Sequence, residues 1–419
     1  MLHFWIATPL ALPSQYRDAK EFVRMTRSPV IGLFLLVLSI CIALPAAAQI
    51  PAPGGDGQAP IPSAPELAAK AWVLMEARTG QILVEHNADE QLPPASLTKL
   101  MTSYLIAEEL ARGKFDEQTE VPISVKAWRM GGSKMFVREG TRVPAGDLLR
   151  GIIVQSGNDA TVAMAEYLAG SEEAFAQLMN QRAEQLGMHG THFENASGWP
   201  AEGHLTTARD MAILLGAMIR NYPDHYRIYS EKYFEYNGIR QPNRNLLLWR
   251  DSSVDGGKTG HTEAAGYCLV ASALRDDMRL VSVVMGTASE QARAAETQRL
   301  LGWGFRFFET AKLYEAGEVL RADARVWFGD VDRVNLVVPE ALYLTLPRGS
   351  RENLKATLLV DDVIRAPLAA DTEVGTLQIE HDGERLLSAP IVADREVDRA
   401  GFFSRLWDRL ILLIKNLFS

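Results

Sequence analysis

The stretch Pro94-Ala95-Ser96-Leu97-Thr98-Lys99-Leu100-Met101-Thr102 sets a hydroxyl three residues before a lysine, at the head of an apolar-periodic run. Positions i and i+3 share one face of a helix, so Ser96 and Lys99 point the same way. Pro93 and Pro94 mark where an extended segment ends and a helix begins. Leu97, Leu100, Met101, Tyr104 and Leu105 then form its inward face. A serine at a helix N-terminus also feels the positive end of the dipole, which favours an alkoxide. Alone, this spacing also describes a capped helix with a solvated lysine, so its meaning rests on partners elsewhere in the chain.

Two partners are present. Ser156-Gly157-Asn158 begins sixty residues after Ser96, and Lys258-Thr259-Gly260 begins one hundred residues after Asn158. S-x-x-K, S-x-N and K-T-G each occur once, and in this order they form a specific combination. A serine hydroxyl attacks a carbonyl only when a base takes its proton. Lys99 serves if neutral, so its pKa must fall from roughly 10.4. Burial beside a second cation, Lys258, would lower it. Ser156 would relay the proton to the leaving amine, and Asn158 would hold both Lys99 and the substrate amide. Backbone N–H groups of Ser96 and His261 would form the oxyanion hole. Lys258 and Thr259 would attract a substrate carboxylate, while Gly260 lets a substrate backbone approach closely.

The surrounding pattern predicts a fold. Ala71–Met75 and Gln81–Val84 read as strands of a hairpin through Arg78-Thr79-Gly80, and Tyr267–Leu274 pairs with Arg279–Met285 across Arg275-Asp276-Asp277. Between them lie helical stretches from Asp147, over Ala160–Ala169 and over Glu172–Leu186, and a long helix from Glu290 to about Phe308 follows. Strands at both ends with helices between predict an α/β (α+β) sandwich on an antiparallel sheet, over residues 66–312.

With these residues in view, the chain resembles a low-molecular-mass penicillin-binding protein of the D-alanyl-D-alanine carboxypeptidase type, a serine β-lactamase/transpeptidase-like fold. The resemblance rests on Pro94–Lys99, Ser156-Gly157-Asn158-Asp159-Ala160, Lys258-Thr259-Gly260-His261-Thr262, Arg240-Gln241-Pro242-Asn243-Arg244-Asn245 and Trp303–Phe308, and it covers nearly everything after residue 70. It implies a serine carboxypeptidase that trims terminal D-alanine from peptidoglycan stem pentapeptides, with β-lactams as covalent inhibitors. It also makes Arg244 and Arg293 candidates for steering the substrate carboxylate. The loop Trp128–Phe136 is shorter than in the best-known members, which leaves the acyl-enzyme lifetime open. A class A β-lactamase would carry an E-x-x-L-N segment between Asn158 and Lys258, and none is there. A DD-endopeptidase or a penicillin-binding sensor with little turnover would use the same residues.

The 419-residue length implies more than one domain. A net charge of −9 with no basic face excludes a nucleic-acid binder. His189-Gly190-Thr191-His192 has no H-E-x-x-H or cysteine companion, so no metal or cofactor is expected. Cys268 lies in an apolar run and reads as a packing residue.

Arg24 and Arg27, an apolar run from Val30 to Leu44 and an A-x-A ending at Ala48 make residues 1–48 a signal-peptide region, with Met25 giving a signal of ordinary length. Residues 49–65 read as a mobile Pro/Gly linker. Residues 317–397 alternate in short runs, predicting a small all-β domain. Residues 400–419 form an amphipathic helix too charged to span a bilayer, which is expected to lie on the membrane surface. The expected location is the periplasm, at the outer face of the inner membrane.

Overall fold

The computed structural model describes residues 49–51 and 62–418. The signal region, Met25 and most of the linker lie outside these residues. Gln49–Pro51 does not behave as linker: it pairs antiparallel with the strand Leu354–Val360.

Five strands form: β1 (Ala71–Glu76), β2 (Ile82–His86), β3 (Val254–Thr262), β4 (Gly266–Arg275) and β5 (Met278–Thr287), aliphatic in β1, β4 and β5 and glycine-rich in β3. They form one antiparallel sheet in the order β2-β1-β5-β4-β3, so early and late segments meet at its centre. Its two faces sort by the period of two. Val73, Met75, Val281, Val283 and Val270 face a helical layer. Leu74, Leu280, Val284, Leu269 and Ala271 face the other side, with Leu300, Leu301 and Phe305.

The helical layer contains α1 (Lys99–Ala111), α2 (Asn158–Ala169), α3 (Glu172–Gln185) and α4 (Ala208–Asn221), and α5 (Glu290–Phe307) covers the opposite face. Helix α1 is buried from Lys99 to Glu108 on every side, because the rest of the layer wraps it. This three-layer arrangement is the expected α/β sandwich. Cys268 is buried within it, and burial pushes its thiol up to about 11.

The chain changes cores at Phe308. Strand β6 (Phe308–Tyr314) places Ala311, Leu313 and Tyr314 in a second hydrophobic core, so the expected catalytic-domain end at residue 312 falls inside one strand. That core is built with β7 (Val319–Trp327), β8 (Arg333–Val337), β9 (Leu342–Pro347), β10 (Leu354–Val360), β11 (Glu373–His381) and β12 (Glu384–Ala393). Strands β6 and β9 pair with each other, and the others form a sheet in the order β10-β11-β12-β8-β7, extended at either end by Gln49–Pro51 and Ile364–Arg365.

The last helix, α6 (Phe402–Phe418), docks through Asp408 and Leu412, with Arg405 and Ile411 half-buried beside them. Asp408 is buried and accepts hydrogen bonds from Arg325 Nη2 at 3.0 Å and from the Phe328 amide at 2.7 Å. Phe402, Phe403, Leu406, Trp407, Leu410, Leu413 and Ile414 are all exposed. Among the described residues no helix is long and apolar enough to cross a membrane.

Gly304 tests how tightly α5 sits on the sheet. A Cβ there would lie 2.6 Å from Leu74 Cδ2 and 2.7 Å from Leu280 Cδ1. Gly304→Val should therefore destabilise the protein by about 1–3 kcal/mol in denaturant unfolding, the usual cost of overpacking a dense interior; an unchanged midpoint would contradict this packing.

Candidate active site

The cleft begins with a local backbone anomaly. Ala95 has φ 48°, in the left-handed region that side chains avoid. It opens a 3₁₀ turn, Ala95–Thr98, that passes directly into α1 at Lys99. Gly198 holds the turn from outside: a Cβ on it would lie 1.8 Å from the Ala95 carbonyl oxygen. His204 supports it from below. The Glu194 amide donates to His204 Nδ1 at 3.0 Å, which leaves the proton on Nε2 for Thr98 Oγ1 at 2.8 Å. Thr98 in turn donates to the Ala95 carbonyl. Ser96, at the centre of this strained turn, remains partly exposed.

Lys99 lies fully buried beneath it. Its Nζ stands 3.0 Å from Ser96 Oγ, 2.7 Å from Asn158 Oδ1 and 2.5 Å from the Ser197 carbonyl oxygen. These three acceptors are neutral. Burial, and secondarily the charge of Arg244, lower its pKa to about 7. The charged neighbour that the sequence suggested was Lys258; Arg244 has the larger influence on Lys99.

The second motif sits where α1's neighbours converge. Gly151–Gln155 forms a π-turn that ends at Ser156, itself left-handed at φ 66°, and α2 starts at Asn158. Such turns cluster at functional sites. Asp159 fixes the whole corner. Its buried carboxylate accepts from the amides of Met135, Phe136, Val137 and Ala160 at 2.8–3.2 Å. Asn158 adds two bonds to the same loop: its amide N–H donates to the Ser133 carbonyl at 2.7 Å and its side chain to Gly131 at 2.8 Å.

The third motif lies on the edge strand β3. Lys258 is in register with Val270 and Gly260 with Cys268, residues whose side chains face the helical layer. Lys258 Nζ donates to Ser156 Oγ at 2.9 Å, and the lysine is buried. Burial first, then the charges of Lys99, Arg244 and Arg293, push its pKa well down. Gly260 brings the strand against the Ser96 turn: a Cβ there would stand 2.9 Å from Pro94 O and 3.3 Å from the Leu97 amide nitrogen. Thr259 is buried beside it, while His261 is exposed and stacked on Tyr267 with 3.9 Å between ring centroids.

The two arginines part company. Arg244 is exposed between buried Asn243 and Asn245, and its charge reaches both lysines. Arg293 is buried on α5, where Nη1 donates to the Gly260 carbonyl at 3.3 Å and the guanidinium lies over Tyr267. It meets the strand backbone rather than the open cleft. His189 and His192 face Glu184 and Glu194 at the surface, and among the described residues no cluster of three or more metal-ligand side chains occurs.

A partly exposed serine hydroxyl, a buried amine in contact with it and further basic side chains nearby are the parts that a serine acyl-transfer site needs. Residues 58–289 match the D-alanyl-D-alanine carboxypeptidase family, and residues 308–399 match the penicillin-binding protein 5 C-terminal domain. The D-alanyl-D-alanine carboxypeptidase DacA of Escherichia coli K12 is 45% identical over 367 residues, covering 86% of this chain and 91% of the relative. The DacA carboxypeptidase of Haemophilus influenzae is 43% identical over 361 residues, covering 85% and 92%. The crystal structure of penicillin binding protein 5 from H. influenzae superposes with a TM-score of 0.76 at 42% identity, covering 82% of this chain and all of that one. The chain belongs to the D-alanyl-D-alanine carboxypeptidase family, and it is a serine-type enzyme of that family.

His204 gives the site an acid limit. Burial, then the charges of His192 and Lys99, lower its pKa to about 4 from the usual 6.5. The folded state therefore binds fewer protons than the unfolded chain between these values. The stability it contributes is fully present above pH 6.5 and is lost as pH falls through about 4. Replacing it by a side chain that does not titrate, His204→Gln, should make unfolding free energy less steep in pH over this window. An identical pH dependence in the variant would contradict the assignment.

Proposed function

We propose that this carboxypeptidase acts on peptidoglycan stem pentapeptides at the periplasmic face of the cytoplasmic membrane, with Ser96 as nucleophile and Lys99 as its base. The observation that carries this reading is the contact of Lys99 Nζ with Ser96 Oγ in a fully buried setting. Lys258 is also pushed down, but it touches Ser156, not Ser96. A substrate carboxylate arriving at Lys258, Thr259 and exposed Arg244 would restore the charge on Lys258. That charge would in turn hold Lys99 neutral.

In acylation Lys99 takes the Ser96 proton and Oγ bonds to the carbonyl carbon of the penultimate D-alanine. The Ser96 and His261 amides receive the oxyanion. The C–N bond then breaks, and the leaving amine of the terminal D-alanine takes a proton from Lys99 through Ser156. In deacylation water adds to the ester, Lys99 accepts its proton, and Ser96 leaves as the hydroxyl. The products are the shortened peptide and free D-alanine. Asn158 keeps Lys99 aimed, Gly260 leaves room for the peptide along the free edge of β3, and Arg293 braces that strand. β-Lactams would acylate Ser96 as mimics of the D-alanine pair.

Export rests on the signal pattern of residues 1–48, and attachment rests on α6. Asp408 and Leu412 anchor that helix to the domain, which leaves seven apolar side chains outward, as an interfacial helix requires.

Free D-alanine should appear when the protein is incubated with a pentapeptide ending in D-alanyl-D-alanine, and Ser96→Ala should abolish it; equal release by the variant would overturn the nucleophile. The value of kcat/KM should rise with pH through about 7 as Lys99 loses its proton. A flat profile there would refute Lys99 as base. Deleting residues 400–419 should move the protein from the membrane pellet to the supernatant. Continued pelleting would place attachment elsewhere.

A further inference from the structure

One large apolar side chain at the cleft has no role in the reaction above. Trp199 is 49% exposed, yet its position is closely determined. Asn195 builds the turn that carries it: Oδ1 accepts from the amides of Ser197, Gly198 and Trp199, and Nδ2 donates to the Trp199 carbonyl. The same turn delivers the Ser197 carbonyl to Lys99 Nζ at 2.5 Å, so the indole is registered against the catalytic amine. Its six-membered ring rests on the backbone of Gly131 and Gly132. A Cβ at Gly131 would lie 3.1 Å from Cη2, and one at Gly132 would lie 3.4 Å from Cζ3. The same Cβ at Gly132 would stand 2.8 Å from Asn158 Nδ2. The indole and the Asn158 amide therefore both lie against a single glycine.

This placement gives the cleft two unlike ends. Lys258, Ser156 and the exposed charge of Arg244 form a cationic end, which under the proposed function takes the terminal carboxylate. With the scissile carbonyl at Ser96, the peptide upstream of it must run the other way, past Asn158 toward Trp199. An indole laid on bare glycine backbone offers a flat apolar wall with little entropy left to lose.

We propose that Trp199 is a specificity-determining residue: its indole receives the aliphatic side chain of the residue that precedes the D-alanine pair. The inference rests on the proposed orientation of substrate. It predicts selectivity for length and apolarity at that one residue.

The test compares acetyl-norleucyl-D-alanyl-D-alanine with acetyl-glycyl-D-alanyl-D-alanine, which differ only by a four-carbon side chain. The wild type should favour the norleucyl peptide in kcat/KM by roughly tenfold, within the range that small apolar differences allow. Trp199→Ala should bring the ratio close to one, and Trp199→Phe should keep part of the preference. A structural role through the Ser197 carbonyl would lower both substrates together, and an unchanged ratio in Trp199→Ala, or no preference in the wild type, overturns the proposal. Saturation-transfer NMR supplies a readout that needs no turnover. Irradiating aromatic protons of Ser96→Ala protein should saturate the norleucyl methylenes, and the effect should vanish when Trp199→Ala is added. If neither peptide releases D-alanine but this transfer is seen, the wall stands and the assigned reaction fails. If transfer is absent or survives in the double variant, the wall itself is refuted.

Discussion

Removing a lysine amine from water is costly unless its charge is met or given up, and that cost organises this active site. Lys99 is enclosed among a serine hydroxyl, an amide oxygen and a backbone carbonyl, none of which carries a charge. The charge of Arg244 repels the proton further. The same burial that holds the chain's central helix in the core thus lowers the pKa of the amine proposed as the base. Fold stability and chemistry draw on one packed element.

The surroundings serve to keep that amine aimed. Both motif serines are bound up with a left-handed residue, Ala95 just before Ser96 and Ser156 itself. Such conformations persist only where neighbours over-determine them. Gly198, Thr98 and His204 supply that constraint on one side, and the four amides gathered by Asp159 supply it on the other. Strand β3 then closes the site without a side chain at Gly260, so the two halves approach closely enough to share one substrate.

The sequence showed the candidate reactive groups as motifs and gave little of their supports. Ser96 with Lys99, Ser156 with Asn158, and Lys258 with Gly260 are short-range patterns whose spacing reflects a turn or a strand period, so they were legible. The antiparallel sheet was equally plain from its alternation. Asp159 stood inside a quoted motif, but its role depends on a loop more than twenty residues away, which no local period encodes. Asn195, Trp199 and His204 sit on irregular backbone and left no signal at all. Arg244 and Arg293 looked equivalent as isolated charges; only tertiary packing separates an exposed cation from one buried against Gly260. The terminal helix was read correctly as amphipathic, whereas its attachment through buried Asp408 and Leu412 leaves most of its apolar side chains exposed.

The central claim is that Lys99 is neutral near physiological pH while it touches Ser96. Selective labelling of lysine side chains, with Lys99→Arg to assign the resonance, allows its amine to be titrated directly by NMR. The account predicts an apparent pKa of about 7 for Lys99 in the unliganded protein. A Lys99 amine that stays charged above about 9, close to an ordinary lysine, would contradict it.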